Sequence, residues 1–122
     1  MKAKILIVED DDFLRSLAVS KVTNEGHEVS VAADGEQAIE ILKTETPDLI
    51  LLDLMLPGIS GFDVLAQVKQ NPTMAETKVI VFSNLGADED IIKAREIGAD
   101  EYMVKSNFTL DELVAKIQDL LV

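Results

Sequence analysis

The sequence predicts an α/β domain built on one open parallel sheet, with helices packed on both of its faces. Two observations carry this. Five strand-like runs alternate with five helical patterns along the whole chain. Three of those runs, "KILIV", "DLILLD" and "KVIVFS", are aliphatic nearly throughout instead of alternating with polar residues. Strands buried on both faces read this way, and right-handed helical crossovers join them.

Each element has its own signal. "KILIV" at Lys4 to Val8 has β-branched content and ends abruptly in four acids, Glu9 to Asp12. From Phe13, residues Leu14, Leu17, Ala18 and Val22 recur at helical spacing, with Asp12 placed to cap the start and Asn24 to Gly26 to stop it. "HEVSVA" alternates as a strand does, and "DGEQAIEILKTE" opens on an Asp and sets Ala38, Ile41 and Leu42 on one helical face. Pro47 breaks that helix before "DLILLD"; Pro57, Gly58 and Gly61 mark the loop "LMLPGISG". "FDVLAQVKQ" is a short helix ended by Asn71-Pro72. "KVIVFS" follows as a strand, "ADEDIIKAREIGA" as a helix closed by Gly98, and "DEYMVK" as the fifth strand. In "TLDELVAKIQDLLV", Thr109 and Glu112 make a capping box, and Leu110, Leu113, Val114, Ile117 and Leu120 form the apolar stripe.

Composition excludes several classes of function. With 122 residues and no repeat or linker, a single domain over residues 1–122 is expected. There are no cysteines, hence no disulfides or thiolate metal sites. No window reaches a membrane-spanning length. The N-terminus turns acidic before a signal-peptide core could form, so a cytoplasmic address is expected. The net charge of −12 disfavours direct nucleic-acid binding, which needs clustered Lys and Arg.

Ligands of open parallel sheets sit outside the carboxyl ends of the strands. Strand one ends in Glu9, Asp10, Asp11 and Asp12, strand three in Asp53, strand four in Ser83 and Asn84, and strand five in Lys105. Carboxylates gathered within a few ångströms repel one another unless a cation joins them. Hard oxygen ligands favour magnesium, which also accepts phosphate oxygens. Asp53 can then act as a carboxylate nucleophile towards a phosphoryl group, with Lys105 neutralising charge and Ser83 donating a hydrogen bond. Each residue alone has a plainer reading. Asp11 and Asp12 suit helix capping, Asp53 a turn, Ser83 a strand-end hydroxyl and Lys105 an exposed charge. Agreement among four strand ends is what favours a cation and phosphate site.

At this point the residues resemble a known family. "ILIVEDD", "LILLDLMLPGISG", "VIVFS" and "GADEYMVKSNF", in this order, resemble the receiver domain of two-component response regulators, close to the single-domain chemotaxis type. The resemblance implies a flavodoxin-like doubly wound sheet of strand order 2-1-3-4-5 with five helices. It also implies a phosphorylation-dependent switch, not an enzyme in the usual sense. Asp53 would accept a phosphoryl group from a sensor histidine kinase or phosphotransfer protein. Asp10 would ligate Mg2+ directly, Glu9 through water and Met55 through its carbonyl. Ser83 and Lys105 would meet the phosphoryl group, and Tyr102 would be the switch aromatic. The output would be altered binding of a partner protein through helix four, strand five and helix five; homodimerisation is compatible with that face.

Two positions depart from the family's pattern. Lys105 precedes Ser106 where a proline is usual, so the bond is expected either trans with a reshaped loop or cis and strained. Asn84 stands where a small residue is typical and would narrow access to the site. His27 is read as a surface residue, the four methionines as packing, and a half-exposed strand aromatic is the plainer alternative for Tyr102. The rival functions are a receiver-like interaction module that is never phosphorylated, a small aspartate-nucleophile phosphohydrolase, and a flavodoxin-like cofactor binder. The phosphohydrolase would need an acid at Met55, and the cofactor binder a phosphate loop where this chain has acids.

Overall fold

A computed structural model describes residues 2–122. The strands are β1 (Lys4–Val8), β2 (Glu28–Ala32), β3 (Leu49–Leu52), β4 (Lys78–Ser83) and β5 (Glu101–Val104). All pair in parallel in the order β2-β1-β3-β4-β5, the doubly wound topology expected from the sequence. The helices are α1 (Asp12–Asn24), α2 (Gly35–Leu42), α3 (Gly61–Gln70), α4 (Asp88–Ile97) and α5 (Leu110–Leu121).

Because side chains alternate across a strand, each aliphatic run feeds two cores. Leu6, Val8, Ile50, Leu52, Val79 and Val81 pack against Ala38 of α2, Val64, Leu65 and Val68 of α3, and Ala94 of α4. Ile5, Ile7, Leu49, Leu51, Ile80 and Phe82 face the opposite way, onto Ala18 and Val22 of α1 and Leu113 and Ile117 of α5. The register sets Val8 beside Leu52 and Leu52 beside Val81, so the residues just past these strands emerge together.

Helix ends follow side-chain chemistry. Thr109 and Glu112 form the expected capping box, Glu112 N–H donating to Thr109 Oγ1 at 3.1 Å and Thr109 N–H to Glu112 Oε1 at 2.9 Å. α3 stops at Asn71, whose side chain caps a 3-10 turn at Pro72–Met74. At α1 the cap differs from the expectation by one residue. Asp11, in extended backbone, accepts from Leu14 N–H at 2.9 Å, while Asp12 lies in the first turn and pairs with Arg15. Leu17 also leaves the expected stripe and is exposed. Leu14, Ala18 and Val22 recur every fourth residue, and Leu17 lies to the side of that row.

His27 is buried, not on the surface. Its Nδ1 accepts Ala3 N–H at 3.1 Å, which leaves the ring proton on a buried Nε2 that has no partner. The bond spans the segment between β1 and β2 and secures the start of β1. His27→Ala strands a buried N–H and is expected to lower unfolding stability by about 1–3 kcal/mol in urea titrations. Met74 and Met103 are packed as expected, but Met55 is 53% exposed, because it lies in the loop past β3, beyond the buried Leu54. Met1 lies outside the described residues.

The peptide bonds of the described residues are trans, Lys105–Ser106 included. The chain there turns directly into a 3-10 segment, Lys105–Asn107, so β5 ends one residue before Lys105. Among the described residues no helix is long and apolar enough to cross a membrane.

Candidate functional site

Glu9 and Asp53 each follow the last residue of a central strand. Their backbones extend the sheet by one step, Glu9 N–H donating to Ala32 O at 3.0 Å and Asp53 N–H to Val8 O at 3.1 Å. Both side chains are buried and Asp10, next along, is exposed. One carboxylate oxygen from each of Glu9, Asp10 and Asp53 lies within 4.8 Å of the others. Lys105 reaches in from the end of β5, its Nζ 2.6 Å from Asp53 Oδ2 and 2.7 Å from Glu9 Oε1. The other Asp53 oxygen accepts Met55 N–H at 2.9 Å, and Glu9 Oε2 accepts Asp11 N–H at 3.1 Å.

The electrostatics are those of a buried ion triad. Burial pushes the Glu9 carboxyl above its ordinary range, and the Lys105 hydrogen bond only partly counters it. At Lys105 burial works against the charge, but hydrogen bonds to Asp53 and Glu9 outweigh it and raise the ammonium above its usual value. Burial is also the first cause raising the Tyr102 phenol, followed by the charges of Asp90 and Asp53.

Ser83 is fully buried at the end of β4, and its hydroxyl accepts Leu85 N–H at 3.3 Å. Tyr102 is 7% exposed and its hydroxyl donates to the carbonyl of the same Leu85. The half-exposed reading of Tyr102 is therefore incorrect, since its hydroxyl has a partner inside. The backbone of one residue, Leu85, thus joins Ser83 to Tyr102 through the two peptide units that flank it. Asn84, beside them, is exposed.

With this geometry, comparison with known proteins is direct. The chain matches the response regulator receiver domain family over residues 5–118. It belongs to that family. AfsQ1, a transcriptional regulatory protein of Streptomyces coelicolor, is 39% identical over 83% of this chain and 44% of its own length. The response regulator ArlR of Staphylococcus saprophyticus is 38% identical over 97% of this chain and 52% of its own. The chain spans about half the length of the curated relatives it matches. A CheY-like receiver domain protein from Methanospirillum hungatei superposes with a TM-score of 0.92 at 26% identity, over 99% of this chain and 94% of that one. The BeF3-activated N-terminal receiver domain of Klebsiella pneumoniae RstA gives 0.87 at 30% identity, over 97% of both. The curated relatives AfsQ1 and ArlR are named as a transcriptional regulatory protein and a response regulator.

Receiver domains generally bind Mg2+ in an acidic pocket, and the donor set of this one fits it. Its three carboxylates are hard ligands, and among the described residues no His or Cys joins them. Three contributors to the receiver site carry no sequence signal. Leu85 acts only through its backbone. Arg15 donates to the Glu9 carbonyl at 2.9 Å from a helix whose spacing speaks only of packing. Gly61 is a plain loop glycine in sequence, yet a Cβ there would stand 2.3 Å from Asp53 O.

Proposed function

We infer that residues 1–122 act as one receiver domain that accepts a phosphoryl group on Asp53 and answers by changing the partners its α4–β5–α5 face binds. The observation that carries this reading is the buried Asp53 carboxylate, one oxygen held by Lys105 and the acids Glu9 and Asp10 beside it. A carboxylate oxygen of Asp53 bonds to phosphorus as the P–N bond of a phosphohistidine breaks, and the released imidazole takes up a proton. Asp10, Asp53 and the Met55 carbonyl would hold Mg2+ directly, with Glu9 acting through water, and the bound ion supplies positive charge against the phosphoryl oxygens. Lys105 supplies a second cation within reach.

Ser83 turns its hydroxyl to a phosphoryl oxygen and so releases Leu85 N–H. The Leu85 carbonyl holds Tyr102, and Leu85 leads into α4, so one local exchange of hydrogen bonds reaches both β5 and α4. Tyr102 points inward with Asp53 unmodified, its hydroxyl held by the Leu85 carbonyl, so the switch acts on that bond. Phe13, Met55 and Phe108 are exposed in segments at the carboxyl edge of the sheet, a contact surface suited to a sensor histidine kinase or phosphotransfer protein in the cytoplasm. AfsQ1 is named as a transcriptional regulatory protein, which makes transcription the first output to test. With its net charge of −12, this domain would serve as the switch and not as the DNA-contacting part.

Backbone amide NMR with Mg2+ and fluoroberyllate, a phosphoryl stand-in, tests the switch. Shifts are expected at Ser83 to Ala87, Tyr102 and along α4 and α5, only when both reagents are present. Shifts confined to residues 53–61 would contradict it.

A further inference from the structure

The loop between Asp53 and α3 carries the Met55 carbonyl, and its own hydrogen bonds close it on itself. Gly61 N–H donates to Leu54 O at 3.1 Å, Met55 N–H to Asp53 Oδ1 at 2.9 Å, and Ser60 caps α3. Among the described residues, one hydrogen bond ties this loop to a different element. Ile59 N–H donates to Glu36 Oε1, in the first turn of α2, at 2.9 Å. The fit around that bond is close. Gly58 has φ +74°, and a Cβ on it would stand 2.5 Å from Glu36 Oε1. A Cβ on Gly35, beside Glu36, would stand 2.7 Å from the Ile59 carbonyl. Two residues without side chains therefore let the α2 start and the loop approach until the carboxylate meets the amide.

We propose that Glu36 is a positioning residue for the cation site: by clamping Ile59 it fixes the 55–60 loop so that the Met55 carbonyl is held ready as a ligand. This rests on the Mg2+ reading of the site given above. Glu36 is exposed and belongs to α2, so its removal leaves the two cores intact. An acceptor that is charged and held at a helix start makes a stronger bond than a neutral one, and partners behind a metal ligand affect affinity measurably.

The test is calorimetric Mg2+ titration of the parent, Glu36→Ala, Glu36→Gln and Gly58→Ala, with amide hydrogen exchange at Ile59 read alongside. In Glu36→Ala, Mg2+ affinity is expected to fall about three- to tenfold and Ile59 exchange to quicken. Glu36→Gln keeps an acceptor oxygen without the charge, and its loss is expected to be clearly smaller than that of Glu36→Ala. Gly58→Ala drives a methyl into the carboxylate and is expected to reproduce the loss with Glu36 still present. Parent-like affinity in Glu36→Ala overturns the proposal. So does an equal loss in Glu36→Ala and Glu36→Gln, which would make the effect one of net charge on the cation. A parent that takes up no Mg2+ overturns the reading of the site itself, whatever Glu36 does.

Discussion

Lys105→Met is expected to lower unfolding stability in EDTA by about 3 kcal/mol, and Mg2+ to restore much of the loss. The ammonium lies between two buried carboxylates, 2.7 Å from Glu9 and 2.6 Å from Asp53. Removing it leaves two like charges facing each other without a counter-ion, and a cation binding among them then gains what Lys105 supplied. Mg2+ should therefore stabilise the variant more than the parent, read as the difference in unfolding midpoint with and without the ion. The sign of the pH response follows from the same groups. The fold raises the Glu9 carboxyl, so its contribution is fully present below its ordinary value and lost as pH rises through the raised one. Without Lys105 the opposing hydrogen bond is gone, so the variant's deficit should be smaller at mildly acidic pH than at pH 8. In the parent, Lys105 and Tyr102 are both raised from 10.5 and 10.0, and each holds its proton more tightly folded than unfolded. Parent stability is therefore expected to fall as pH climbs through that range. A flat urea midpoint from pH 9 to 11 would contradict this.

Gly61→Ala is expected to be the most damaging methyl that can be added near the site. Its Cβ would stand 2.3 Å from Asp53 O and 2.4 Å from Leu54 Cα, and both are backbone atoms at the end of a central strand. No side chain can swing aside there. Either α3 moves away or the Asp53–Leu54 segment shifts, and overpacking of this kind costs about 3 kcal/mol. A shift at Asp53 also breaks the register that brings it beside Glu9 and Lys105, so the variant should lose Mg2+ binding along with stability. Gly86→Ala is the control, since a Cβ there meets only the Val104 methyls at 3.5 Å. Its urea midpoint should stay near the parent's. Equal midpoints for the two variants would contradict the packing account.

The sheet and its carboxyl-edge site were legible because aliphatic runs and abrupt charges are strong signals. "KILIV" followed by four acids locates both a buried strand and the edge where it ends. The rule that parallel strands share one carboxyl edge then brings Glu9, Asp53, Ser83 and Lys105 together without any structure. What stayed hidden depends on local backbone or distant partners. Asp11 and Asp12 both suit a cap for α1, and the extended backbone at Asp11 decides between them. His27 sits in a polar turn sequence and is buried by a bond to Ala3, which is 24 residues away. Glu36 is one acid among 23, and its partner is a backbone amide. Tyr102 and Ser83 were both legible, but the Leu85 backbone joining them was not, because a backbone group has no letter of its own.

The most direct test is the intact mass of the protein after incubation with acetyl phosphate, beside an Asp53→Asn variant. The parent is expected to gain one phosphoryl group in Mg2+ and none in EDTA, and the variant none in either. A parent that gains no mass in Mg2+, or a variant that gains as much as the parent, would contradict the assignment of Asp53 as the phosphoacceptor.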